Sequence, residues 1–524
     1  MELLQIGSED WVSSFDAPEG VNWHYTPIEN LEQYLEKLKE EKLAKILPNL
    51  LPDQEVPTIK LHFGAVFLTD FVEEKDLEIL GPCFEAYTIF YDNSFDIDES
   101  HYQGVYRRKR PQKCHFEGSR LEKIAHLTRL CFSGQYGAKL KLGDIDISPQ
   151  FEGHISYEGN IRVNLEGDFG ETFSPLFTYR YNLPHFSMVL DLFQEHTKRG
   201  ACQFQMRITP FVRGSVYERL ETIIVNQAAM EDIYRLEPVD NAGFYCISIW
   251  AKGQGLLSFG HLHWRYSREG YGHLVLGGQR ICDSRNQEAL IYFNPGDLKP
   301  PLNVYFSGYR PAEGFEGFGM MKSLKCPFVL VADPRIEGGG FYIGSPEYEK
   351  AIADKLQEAL DYLGFTNKQL ILSGMSMGSF GALYYASRLL PHSVIVNKPF
   401  TNLGDVVDRM PLHRPNEFET IGDILMNNTG GSGKEQVKVL NDKFWSAFKP
   451  ADFSHTEFAI AYMEHDDYDN RAAYKLVDYF AEKSVHIVTK GYPGRHNDNS
   501  RAVNNWLLEQ FVQTLKRDFG RIFD

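Results

Sequence analysis

The sequence predicts an α/β protein: a parallel sheet with helices on both faces over residues 293–524, preceded by a β-rich, β-sandwich-like region. Three observations lead there. After Pro300, near-continuous apolar runs such as VYFSGY, PFVLVAD and LILSG alternate with helical stretches, the pattern of a parallel sheet buried on both faces. From about 150 to 290 short β-like runs (HISYEGNIRVNLEG, CQFQMRITPFV, GFYCISIW, GHLVLGGQRI) are separated by Gly, Asn and Asp. A chain of 524 residues is also too long for one ordinary core. We therefore expect a mixed α/β region over 1–145, a β-sandwich-like domain over 146–292 and an α/β domain over 293–524.

In the first region, residues 30–47 place Leu31, Tyr34, Leu35, Leu38 and Ile46 on one helical face and charges on the other. The run Arg107-Arg108-Lys109-Arg110, followed by Pro111, reads as a solvated loop; contact with anionic lipid or an acidic partner is the sharper alternative. In the second region, Trp250 and Trp264 fit a core better than a stacking platform for sugar. His261 and His263 have the H-x-H spacing that turns two rings to one face of a strand, but no third metal ligand stands nearby. In the third, PEYEKAIADKLQEALDYLG is an amphipathic helix ending at Gly364, and FAIAYME and VHIVTKG are late strands with a helix between them.

Composition narrows the function classes. A net charge of −17 argues against a nucleic-acid surface, which needs a basic face. The seven cysteines have no CxxC spacing, so no zinc or redox motif is expected and free thiols in a reducing compartment are. No signal-peptide pattern opens the chain, and no apolar run approaches the roughly 20 residues that cross a bilayer. The expectation is a cytoplasmic protein.

The chemistry gathers around Gly374-Met375-Ser376-Met377-Gly378, between the strand LILSG and a helix. This is a G-x-S-x-G nucleophile elbow in its strand–turn–helix setting, and it makes the domain α/β-hydrolase-like. Small neighbours two residues either side let the serine turn sharply and project above the sheet at a helix N-terminus. There the N–H of Met377 can serve an oxyanion. A serine needs a base, and in this fold the acid and then the histidine follow it along the chain. His496, in the loop after VHIVTKG, is the candidate base. The acid lies in Glu464-His465-Asp466-Asp467, where Asp466 is preferred and Glu464 and Asp467 are alternatives. A second oxyanion donor is expected from the backbone of Gly308 or Tyr309. Gly338-Gly339-Gly340 lacks the Lys-Ser/Thr of a phosphate loop.

With LQIGSEDW, LILSGMSMGSFGALYY and GYPGRHNDNSRAVNNW in view, the chain resembles the acyltransferase-like component of the accessory Sec system, which exports serine-rich repeat glycoproteins in Gram-positive bacteria. The resemblance implies O-acetylation of N-acetylglucosamine on the glycoprotein through Ser376, Asp466 and His496. It also implies a non-catalytic role in export, with the other two accessory components, the dedicated SecA motor and the glycosylated adhesin as partners. Peripheral contact with the cytoplasmic membrane face would follow. No bound cofactor or metal is expected, and acetyl-CoA is a reasonable acyl donor that no motif demands. A serine esterase, deacetylase or peptidase with the same triad, and a transport scaffold with a vestigial one, are the competing readings.

Overall fold

The computed structural model describes residues 1–13, 20–50, 55–413, 420–483 and 485–523. Parallel and antiparallel sheets both occur, in two compact units. The first unit comprises Met1–Gly134, Arg268–Gly277 and Asn294–Leu298. Its strands β1 (Glu2–Ile6), β2 (Asn22–Thr26), β3 (Ala65–Leu68), β4 (Ile89–Tyr91) and β5 (Gln112–Lys113) form a parallel sheet ordered β2-β1-β3-β4-β5. Helix α1 (Leu31–Ile46) buries Leu31, Leu35 and Leu38 against it, while Ile46, at the free end, is exposed. The basic run departs from expectation. Arg107, Arg108 and Lys109 form the last turn of helix α2 (Gly104–Lys109), where cations suit the helix dipole and Arg108 pairs with Glu78 at 2.5 Å.

The second unit comprises Gln135–Ser267, Gly278–Phe293 and Lys299–Asp524. Its first part has strands β6 (Gly137–Leu140), β7 (Ile145–Ile147), β8 (His154–Glu158), β9 (Arg162–Asp168), β10 (Ser174–Tyr179), β11 (Leu183–Pro184), β12 (Leu190–Gly200), β13 (Gln203–Val212), β14 (Ile223–Asn226), β15 (Tyr234–Leu236), β16 (Ala242–Lys252) and β17 (Gln254–Tyr266). They make two six-stranded antiparallel sheets. One is ordered β14-β13-β16-β10-β7 with β11 on β16, the other β15-β12-β17-β9-β8 with β6 on β17. Alternation puts Phe204, Met206 and Ile249 from the first sheet and Leu165, Leu192 and Phe259 from the second into one core. Trp264 packs against that core beside Phe186, and the Arg207 guanidinium lies 3.5 Å over the Trp250 ring, so neither indole stands as an open platform.

After a two-stranded hairpin in the first unit, β18 (Gly272–His273) with β19 (Val275–Leu276), the chain enters the eight-stranded sheet that positions the site. Its strands are β20 (Gly278–Cys282), β21 (Glu288–Asn294), β22 (Leu302–Phe306), β23 (Phe328–Ala332), β24 (Leu370–Met375), β25 (Ser393–Asn397), β26 (Glu457–Met463) and β27 (Ile487–Tyr492). They are ordered β20-β21-β23-β22-β24-β25-β26-β27, with β20 antiparallel to β21 and β22 to β27 parallel. GHLVLGGQRI thus supplies the hairpin β18–β19 and most of the edge strand β20 of this sheet. Every residue of β22, β23 and β25 is buried, as their near-continuous apolar runs predict.

Candidate active site

Ser376 sits where β24 passes into the helix Met377–Leu389, with φ +54° and ψ −122°. A non-glycine residue holds such a conformation only when its surroundings leave no alternative. Those surroundings are backbone. A Cβ on Gly374 would lie 2.3 Å from the carbonyl of Gly378, and one on Gly378 would lie 2.0 Å from the carbonyl oxygen of Phe306. The Ser376 N–H donates to the Asn397 carbonyl at 3.0 Å, tying the turn to β25. Met377 is the first residue of the helix, so its N–H has no intrahelical acceptor and is placed to serve an anion beside the serine.

The loop after β27 brings His496 to the serine. The Ser376 hydroxyl donates to His496 Nε2 at 2.8 Å, and His496 Nδ1 donates to Asp466 Oδ2 at 2.8 Å. This assignment follows from the carboxylate, which requires the proton on Nδ1 and leaves Nε2 as acceptor. The imidazole is 2% exposed, stacked on Tyr468 with ring centres 4.4 Å apart and flanked by Phe400 at 5.1 Å. Asp466 closes its own turn by accepting the Tyr468 N–H on Oδ1 at 2.8 Å, which leaves Oδ2 for the histidine.

The other sequence candidates separate clearly. Asp467 accepts the backbone N–H of His496 at 3.0 Å and so holds the loop instead of the ring. Glu464 is exposed, and its N–H donates to the Tyr492 carbonyl. Gly308 needs correction as an oxyanion donor. Its N–H is committed to the Glu316 carboxylate at 2.7 Å, leaving Tyr309 as the candidate from that loop. The Tyr309 ring lies over Gly338, where a Cβ would come within 2.4 Å of it.

Residues the motif did not single out complete the surroundings. Lys398 is buried, with φ +51°; its ammonium donates to the Asp498 carbonyl at 3.0 Å and to Ser500 Oγ at 3.3 Å, pinning the far side of the histidine loop. Burial lowers its pKa, opposed by the charges of Asp466 and Asp498. Asp469 accepts the N–H groups of Thr401 and Asn402 at 2.8 and 2.7 Å, joining the acid's turn to the segment after β25, and burial raises its pKa. Lys398 ends the apolar run VIVNK, an unusual place for a cation, and that was the available signal.

His261 and His263 do lie on one buried face of β17, and His263 stands in an ion network. His263 Nδ1 donates to Glu313 at 2.5 Å and Nε2 to Glu195 at 2.9 Å; Arg265 bonds both Glu313 and Glu288. Donor atoms of His263, Glu288 and Glu313 lie within 4.8 Å of one another. Burial works against a charged ring, but Glu313 and Glu195 outweigh it and push the His263 pKa up to about 9. A metal ion at these atoms would first have to displace that proton.

Fold and site together define a mixed α/β protein whose parallel sheet carries a hydrogen-bonded serine–histidine–aspartate chain at the ends of its strands. The family profile described as the accessory Sec system GspB-transporter matches residues 1–521, and the chain belongs to that family. An accessory Sec system protein of Staphylococcus aureus is 36% identical over 99% of this chain and 97% of its own length. Its counterpart in Streptococcus gordonii is 37% identical over 99% of both. A solved structure, the Glycosylation Associate Protein (Gap123) complex from Streptococcus agalactiae, contains a chain 38% identical to this one, with a TM-score of 0.90 over 100% of this chain and 99% of that one.

Proposed function

We propose that this chain is an O-acyltransferase of the accessory Sec system, acetylating N-acetylglucosamine on a serine-rich repeat glycoprotein through a Ser376 acyl-enzyme. The observation that carries the reading is the unbroken chain from Ser376 through His496 to Asp466, on an elbow whose φ of +54° is imposed by backbone contacts. The strand order, the elbow and the sequence Ser…Asp…His along the chain favour an α/β-hydrolase-like domain, and the preceding sheet pair a β-sandwich.

In the first half-reaction Ser376 Oγ attacks the acyl carbonyl while His496 Nε2 takes the hydroxyl proton. The resulting oxyanion is met by the Met377 N–H and by the Tyr309 segment. The bond to the leaving group breaks, and His496 returns the proton to it. In the second half-reaction a sugar hydroxyl attacks the acyl-serine, gives its proton to His496, and the Ser376 Oγ–acyl bond breaks as the serine recovers that proton. Asp466 holds the tautomer and stabilises the imidazolium throughout. Acetyl-CoA is the donor we favour. The accessory Sec complex supplies the partners: the other two components, consistent with the assembled relative, together with the SecA motor and the adhesin.

The test is acetyl content. In cells carrying Ser376→Ala, the exported glycoprotein should lack acetyl groups by mass spectrometry while export continues. Full acetylation by the variant overturns the proposal. A water-accepting esterase with the same residues predicts instead that purified protein lowers the acetyl content of a modified glycan.

A further inference from the structure

Strand β6 borders the second antiparallel sheet, where Lys139 stands opposite His263 and Gly137 opposite Arg265. Its period of two puts Gly137 and Lys139 on one side, with Gln135 and Lys141 just beyond the two ends of the strand, while Leu140 turns into the core. That odd-numbered side faces two loops. One, residues 307–316, leaves β22 and carries Gly308 and Tyr309; the other, residues 333–342, leaves β23. Both border the elbow. A Cβ on Gly339 would lie 2.4 Å from the Met377 methyl, and the Arg310 N–H donates to the Gly338 carbonyl at 3.0 Å.

Each loop is held from β6. The Lys139 ammonium donates to the carbonyls of Pro334, Ile336 and Glu337 at 2.6, 2.7 and 3.1 Å, so three backbone acceptors converge on its three protons. Lys141 pairs with Glu337 at 2.5 Å. On the other loop, Gln135 accepts the Phe315 N–H at 2.7 Å and donates to the Phe315 carbonyl at 3.2 Å, and the Glu313 N–H donates to the Gly137 carbonyl at 3.0 Å. The Glu313 side chain is then seized by His263 and Arg265 from β17.

We propose that this face of β6 sets the position of both loops beside Ser376, and that Lys139 and Gln135 are positioning residues for acyl transfer. The sheet pair is then part of the reacting apparatus through the placement of the Tyr309 backbone and of the wall over Met377. No side chain of β6 needs to touch substrate. The proposal rests on Ser376 being the nucleophile. It goes further by assigning a task to residues more than two hundred positions away in sequence.

The experiment uses the full chain with p-nitrophenyl acetate and a fluorophosphonate probe that phosphonylates Ser376 with loss of fluoride. Gln135→Ala removes two bonds from a half-buried side chain; Lys139→Met and Lys139→Arg form a graded pair. Displacement of the loops should lower kcat and the labelling rate by about tenfold or more with KM nearly unchanged. Lys139→Arg should recover part of the loss. Wild-type kcat in both Gln135→Ala and Lys139→Met overturns the proposal, as does a loss of activity that merely tracks the folded fraction in a thermal melt. Failure of the wild-type chain to label at Ser376 removes the nucleophile, and the positioning role with it. The two failures are therefore told apart by the wild-type control.

Discussion

Glu464, Asp466 and Asp467 leave the same strand, and the turn they share sends them to different places. Asp466 is turned inward because its own Oδ1 closes the turn on the Tyr468 N–H, which aims Oδ2 at His496. Asp467 reaches the backbone of the same histidine, and Glu464 faces solvent. The carboxylates therefore predict separate outcomes in ester turnover. Asp466→Asn should keep the fold and lower kcat by about 10⁴-fold, since the amide favours the wrong tautomer. Glu464→Gln should stay within about twofold of wild type, as expected of an exposed residue away from the chemistry. A reversed ranking in steady-state kinetics would displace Asp466. Spacing alone left this choice open, because which of three neighbouring carboxylates turns inward depends on a local hydrogen bond. The Gly308 assignment failed for a related reason: the competing acceptor, Glu316, arrives from a bend eight residues onward.

At the scale of elements, the elbow was the most legible feature because its sterics are contained in five residues. Gly374 and Gly378 are required by contacts at 2.3 and 2.0 Å with backbone atoms that cannot step aside. Gly378→Ala should therefore destabilise the second unit by about 3 kcal/mol or more, measured by denaturant unfolding; a neutral substitution would mean the turn relaxes easily. The alternation of strands and helices after Pro300 was readable for a similar local reason, the central strands β22, β23 and β25 being buried on both faces and largely apolar. The basic run at 107–110 was not. Four cations beside a proline resemble a loop in sequence, whereas the first three close a helix whose Arg108 meets Glu78 from a distant segment.

At the scale of the whole second unit, a sheet face that sequence could only describe as bearing two histidines meets loops of the eight-stranded sheet and buries charge. His263 between Glu313 and Glu195 ties folding to pH. Its pKa in the folded chain, about 9, lies above the ordinary 6.5, so the folded state holds the proton more tightly. That stabilisation is complete below about pH 6.5 and disappears as pH rises through about 9. Thermal melts of the wild type should lose stability across that window, and His263→Gln should be less stable at neutral pH with a flatter alkaline profile. Parallel profiles would show that His263 is neutral in the folded chain. The facing partners Glu313 and Glu195 come from segments 50 and 68 residues away, which is why H-x-H spacing could indicate a shared face and say nothing of what met it.

The account stands on Ser376 carrying the acyl group, and trapping that intermediate tests it most directly. Full-length protein should be mixed with an activated acetyl ester, quenched in acid and mapped by peptide mass spectrometry. The account predicts an acetyl group on Ser376 that disappears when a sugar hydroxyl acceptor is supplied, and no adduct in His496→Ala. An unmodified Ser376 in folded, reactive wild-type protein, or acetylation that persists in His496→Ala at the wild-type rate, would contradict it.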